Sequence, residues 1–308
     1  MNFKTLTLSF ASLLMVATTT AQTPLWQGKG RIAISSDGNE HDHDDWAATP
    51  MSLALLAARE LQDKLALYTF SDHVWGSNQE MPLVQGMTAY EHMRESALGG
   101  AKHFGYDSTR FICAVDNAEI AYNAMRDQIN MSSEDNPLII IAAGPMQVVG
   151  EAMNRSRVEC RKYVTVVSHS GWNNAHSDSP YMKTDWDRHH GWTFNDMKDA
   201  FSSEKGGEAT FIKILDQNKG KDYIGLFTNM KHYDWVKESS ARNNPAYQAG
   251  SWDWLYGRLG SCVKRGDNFD PSDAGMIIYL LTGVDKTNPD MAREIMENPT
   301  TEDGKEIK

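Results

Sequence analysis

The densest chemistry in the chain lies at residues 36–45, Ser-Asp-Gly-Asn-Glu-His-Asp-His-Asp-Asp, where Asp37, Glu40, Asp42, Asp44 and Asp45 crowd together. Carboxylates so close cannot all be ionised without a cation or shared protons. A metal ion is the simplest neutraliser, and an oxygen-dominated donor set favours Ca2+ over Zn2+. His41 and His43, interleaved with the acids, could be nitrogen ligands or hydrogen-bond partners. The plain alternative is a solvated acidic loop, with Asp44 and Asp45 at the positive end of the helix that follows.

These residues need a scaffold, and the flanking sequence supplies one. Residues 31–35, Arg-Ile-Ala-Ile-Ser, read as a strand ending at the acidic cluster, and Thr49-Pro50 reads as a helix start followed by the apolar segment 51–61. Further strands are expected at 65–70, 137–143, 163–168 and 222–228, and amphipathic helices at 88–97, 117–129 and from Gly144-Pro145 to about 154. The run Pro137-Leu-Ile-Ile-Ile-Ala-Ala143 shows no alternation, as a strand covered on both faces would. Alternating strands and helices predict an α/β fold with a mostly parallel sheet, in which ligands bind at the carboxyl ends of the strands. The stretch 169–221, rich in Trp, His, Asp and Gly, is expected to form site loops and a helical insertion, and residues 272–282 an apolar helix with one acid near its start.

Composition bounds the function. The chain has 308 residues, Lys+Arg 30 against Asp+Glu 41, and a net charge of −11. That balance lacks the basic footprint of a nucleic-acid polymer or anionic-lipid binder. Lys4, the apolar stretch 6–17 and the small residues Thr19-Thr20-Ala21 predict a signal peptide over 1–21, leaving one domain over 22–308 in a secreted or periplasmic protein. No run is long enough for a membrane span. Cys113, Cys160 and Cys262 allow at most one disulfide.

Three landmarks in order give a resemblance. Asp37 followed by Asp44-Asp45 on a strand-to-helix loop, the strand LIIIAAGPMQVV at 138–149 and the late SDAGMIIYLLTG at 272–283 resemble the inosine/uridine-preferring nucleoside hydrolases and their wider nucleoside hydrolase-like relatives. The resemblance implies a doubly wound, Rossmann-like sheet and one bound Ca2+. It implies metal ligation by Asp37, Asp45, the carbonyl of Ala143 and Asp273, and a sugar hydroxyl held by Asp44. The loop between Asp37 and the Asp-Asp pair carries extra residues, Asn39 to Asp42, so Asp42 competes with Asp44 for that place. The sugar-binding position after the strand at 163–168 falls on residues 168–178, where Asn173 and Asn174 are candidates, alternatively as turn residues. Trp172 offers a flat face for a sugar ring. His169 and His176 could protonate a leaving group or hydrogen-bond within the loop, and His232, Asp185 and Asp187 remain candidates for the same acid.

A glycosidic bond cleaved through an oxocarbenium-like state needs an activated water on one face and leaving-group assistance on the other. Asp37 suits the first need as catalytic base, and direct attack by water predicts inversion. Because the chain carries an export signal and many Trp residues, including Trp172, Trp186, Trp192, Trp252 and Trp254, an O-glycoside or oligosaccharide is favoured over a nucleoside. An N-ribosyl nucleoside hydrolase is the first alternative. A metallophosphoesterase using His169 with His189-His190 and a carbohydrate-binding protein are the others. The expected partner is a small-molecule sugar or oligosaccharide, with homo-oligomerisation left open.

Overall fold

The computed structural model describes residues 22–38, 43–74, 83–175, 191–218, 224–263 and 268–308. Six strands, β1 (Arg31–Ser36), β2 (Leu65–Phe70), β3 (Arg110–Cys113), β4 (Leu138–Ala143), β5 (Val164–Ser168) and β6 (Thr210–Lys213), form one sheet in the order β3-β2-β1-β4-β5-β6. Every pairing is parallel. The chain winds outward from β1 to β3, then crosses back to β4 and winds the other way. The α/β, doubly wound, Rossmann-like expectation therefore holds, with the direction reversing between β1 and β4.

Alternate residues of the central strands feed two cores. Leu138, Ile140 and Ala142 pack with the helices Ala118–Asn130, Gln147–Arg155 and Phe194–Phe201. Ile139, Ile141 and Ala143 face the opposite layer of α1 (His43–Ala57) and the helices Ser251–Ser261, Gly275–Thr282 and Pro289–Glu297. All six residues of β4 are buried, which explains its unbroken apolar run.

Four expectations are corrected. The helix expected to start at Thr49-Pro50 begins at His43, so Pro50 sits inside it. Pro50 cannot donate to the carbonyl of Trp46, and the Ser96 hydroxyl takes that place at 2.6 Å. Of the strand expected at 222–228, the described part does not join the sheet: residues 224–227 are irregular, only Thr228–Asn229 pair, antiparallel to Asn268–Phe269, and 222–223 lie outside the described residues. Gly225 adopts φ +86°, and a Cβ there would lie 1.6 Å from the Gln217 carbonyl oxygen, a conformation and close approach that a strand residue could not adopt. Instead the sixth strand comes from within the supposed insertion, as β6, and β3 was not expected at all. Both are four-residue edge strands with partly exposed residues, so neither shows a long apolar run. Cys113, Cys160 and Cys262 are all free and buried. Among the described residues, no helix is long and apolar enough to cross a membrane.

Candidate functional site

β1 delivers Asp37 to the point where the sheet reverses. The hydrogen-bond ladder runs one residue past the strand: Asp37 N–H donates to the Ala143 carbonyl at 3.2 Å, and Ser71 N–H donates to the Asp37 carbonyl at 2.9 Å. Gly144 admits this approach, since a Cβ on it would lie 2.9 Å from the Asp37 nitrogen. Gly38 then turns the chain at φ +86°, where a Cβ would meet Met93 Sδ at 2.5 Å and Asp45 Cβ at 2.9 Å. The Trp46 indole fixes the turn by donating to the Gly38 carbonyl at 2.6 Å.

The early start of α1 places Asp44 and Asp45 in its first turn, where the helix dipole favours negative charge. Asp37 and Asp45, at the two ends of the loop, are nonetheless not the solvated residues of the plain alternative. Asp37 and Asp45 are 5% and 3% exposed, and the Ser36 hydroxyl donates to Asp45 Oδ1 at 2.9 Å. Burial pushes the Asp37 carboxyl up to about 6; a hydrogen bond with Asp45 and the charge of His73 oppose this, while Asp273 and Asp44 add to it. Asp45 is held well above the usual carboxylate range by burial and then by Asp37, Asp273 and Asp44. Such a pair keeps a proton between its members unless positive charge replaces it.

Asp273 arrives from the other end of the chain, on the single turn Ser272–Ala274 before helix Gly275–Thr282. Its Oδ1 accepts from His169 Nε2 at 2.5 Å and from Asn173 Nδ2 at 3.1 Å. His169 follows β5 and is fully buried, and its Nδ1 faces the Gln217 N–H at 3.2 Å. Burial opposes charge on this imidazole, but Asp216 and Asp273 outweigh it and push it up to about 9. Nδ1 thus faces both the Gln217 N–H at 3.2 Å and Asp216 Oδ1 at 3.8 Å.

Asp37, Asp44, Asp45, Trp172, Asn173, Asn218, Ser272 and Asp273 border one cavity of about 230 Å³. That is below the roughly 300–1,000 Å³ of drug-sized ligand pockets and suits a group the size of one sugar ring. The expected residues Asp37, Asp44, Asp45, Trp172, Asn173 and Asp273 are thus brought together. Ala143 lies directly behind Asp37, and His169 stands behind Asp273 rather than on the wall. The side chain of Asn174, all of His176, and Glu40, His41, Asp42, Asp185, Trp186, Asp187, His189, His190 and the segment 1–21 lie outside the described residues. His232 is exposed on the turn Met230–Tyr233, and Trp252 is a core residue.

Asn218 and Ser272 were not expected on the wall. With its amide turned to satisfy its neighbours, Asn218 donates to Ser272 Oγ at 2.6 Å and to Asp270 at 3.2 Å. Its signal was its position just past β6, legible only once that strand is recognised.

The donor set fits a hard dication. The side chains that would hold it, Asp37, Asp45 and Asp273, offer only oxygen, and the raised pair carries the mutual repulsion that a cation relieves. The Ala143 carbonyl retains a second lone pair beside them. The acids border the cavity without meeting at one point: among the described residues, no three His, Cys, Asp or Glu side chains form a ready-made cage.

No family model matches the chain, and no solved structure matches it significantly. A curated relative, "Uncharacterized protein P22" from Formosa agariphila, is 31% identical over 273 residues, covering 86% of this chain and 88% of that protein.

Proposed function

The chain belongs to the family of the Formosa agariphila protein P22, a kinship that brings no activity with it, and from the pocket we propose that it is a Ca2+-dependent hydrolase of glycosidic bonds. One observation carries the proposal. Acids distant in sequence, Asp37, the Asp44-Asp45 pair and Asp273, border a single sugar-sized cavity at the point where the sheet reverses, with Trp172 on the same wall. Unpaired charge is costly at such a place, and perturbed carboxylates in a cleft are a mark of function.

Asp37 is the base that takes a proton from the attacking water. Its carboxylate borders the cavity, where a water can reach it. Asp44 holds a sugar hydroxyl, Asn173 and Asn218 offer further hydrogen bonds, and Trp172 covers a ring face. Calcium, when bound by Asp37, Asp45, Asp273 and the Ala143 carbonyl, supplies positive charge that offsets the acids and anchors sugar hydroxyls. Attack by water in one step breaks the glycosidic C–O bond as the new one forms, the departing oxygen takes its proton from solvent, and the anomeric carbon is inverted. Trp172 on the wall and the signal peptide expected over 1–21 favour an O-glycoside or short glycan over an N-riboside, in a secreted or periplasmic setting.

The test uses purified protein with and without CaCl2 on three panels: O-glycosides and oligosaccharides, inosine and uridine, and aryl phosphates. Calcium-dependent release of sugar from the first panel is the expected result. Faster release of base from nucleosides moves the substrate to N-ribosides. Phosphate release alone, or no calcium response, overturns the proposal.

A further inference from the structure

Two side chains hold the cavity acid Asp273 by one oxygen. His169 Nε2 and Asn173 Nδ2 both donate to Oδ1, at 2.5 and 3.1 Å, and neither engages Oδ2 of this cavity-bordering residue. The three residues come from two segments a hundred or more positions apart, the one after β5 and the one before the helix Gly275–Thr282.

The imidazole that does this has a seat of its own. The Gln217 N–H meets Nδ1 at 3.2 Å, which selects the ring orientation that turns Nε2 toward Asp273. Gln217 is in turn fully buried, its side-chain amide donating to the carbonyls of Leu215 and Asp285 at 2.6 and 2.7 Å and accepting from the Thr287 hydroxyl at 2.5 Å. Gly275 leaves room for it, since a Cβ there would lie 2.6 Å from Gln217 Oε1. Several loops therefore converge to orient one histidine, and none of these atoms lines the cavity.

We propose that His169, seated by Gln217, is a positioning residue that fixes the rotamer of Asp273 and presents Oδ2 to the calcium ion. The role rests on the calcium reading of the pocket. It requires only the Nε2–H, which is present whether or not Nδ1 also carries a proton. A hydrogen-bond partner that orients a ligating carboxylate typically accounts for about 10–100-fold in metal affinity.

The experiment titrates CaCl2 calorimetrically into the full-length wild type, His169→Phe and His169→Gln. Phenylalanine fills the space without a donor, whereas glutamine can place an N–H near the Nε2 position. Calcium affinity should fall about 10–100-fold in His169→Phe and recover toward the wild type in His169→Gln. A merely structural role would give no such recovery. In parallel, 1H–15N spectra of calcium-free wild type should show a slowly exchanging Nε2 proton of His169 that shifts in Asp273→Asn. If the wild type binds calcium and His169→Phe binds it equally well, or if the Nε2 proton is missing, the positioning role falls. If the wild type binds no calcium while the Nε2 proton is present and shifts in Asp273→Asn, the calcium reading falls, and with it the calcium part of this proposal, while the orienting contact stands.

Discussion

Asp72 lies just past β2 and is fully buried. Hydroxyls of Ser35 and Thr69 both donate to its Oδ2, the latter at 2.9 Å, and its Oδ1 has no partner among the described residues. Burial pushes the carboxyl up to about 8 from 3.8; the two hydroxyls oppose the shift and the charge of Asp37 adds to it. Below pH 3.8 the group is protonated in both folded and unfolded chains and costs nothing. As pH rises, the unfolded chain releases the proton while the folded chain keeps it until about 8, so stability falls across that window. At about 1.36 kcal/mol per pH unit, the loss by pH 7 is about 4 kcal/mol. Asp72→Asn removes it. The amide oxygen can accept both hydroxyls, but the NH2 then takes the unpartnered place at a cost of about 1–3 kcal/mol. The variant should be near neutral or slightly less stable at pH 5, and about 1–3 kcal/mol more stable at pH 7. Each kcal/mol corresponds to roughly 2–4 °C in Tm for a chain approaching this size. Urea denaturation of both proteins at pH 5, 7 and 8 measures the difference. A variant no more stable than the wild type at pH 8, or a difference that does not grow with pH, would refute the reasoning.

Asp37→Asn should lower glycoside turnover about a hundredfold or more while leaving the circular dichroism spectrum close to that of the wild type, because the fold is kept while the base is lost. Calcium at a hundred times its Kd should stabilise the wild type by about 2.7 kcal/mol, read as a rise in Tm, and Asp45→Asn or Asp273→Asn should blunt the rise. A wild-type melting curve indifferent to calcium and chelator would count against the cation site. Gly38→Ala should destabilise by about 1–3 kcal/mol, since it needs φ +86° and its Cβ would press on Met93 and Asp45. A denaturation midpoint equal to that of the wild type would show that the turn relaxes without strain.

The alternation of apolar runs with helical patterns made the parallel sheet legible, and the acids after β1 made the site legible, because strand ends are where such sheets bind ligands. Local sequence could not show β6: Thr-Phe-Ile-Lys at 210–213 is too short and too polar at its ends to announce a strand, and it pairs only because β5 offers it an edge. The apolar residues around Leu226 read as a strand, yet Leu226 is fully buried in the core from an irregular segment, with Gly225 bent against Gln217. Hydrophobicity says that a segment is buried and not what covers it.

The sequence by itself determined which residue types could meet and that they would meet at strand ends: Asp37, Asp44, Asp45 and Asp273 are chemically conspicuous, and Trp172 and Asn173 follow a strand. Only the tertiary structure decided their roles. It set His169 behind Asp273 rather than in the cavity, brought Asn218 and Ser272 to the wall, and buried Asp37 against Asp45 so that their carboxyls rise together. The reason is that ionisation and orientation depend on desolvation and on neighbours across the chain, neither of which is a property of a residue or its sequence position.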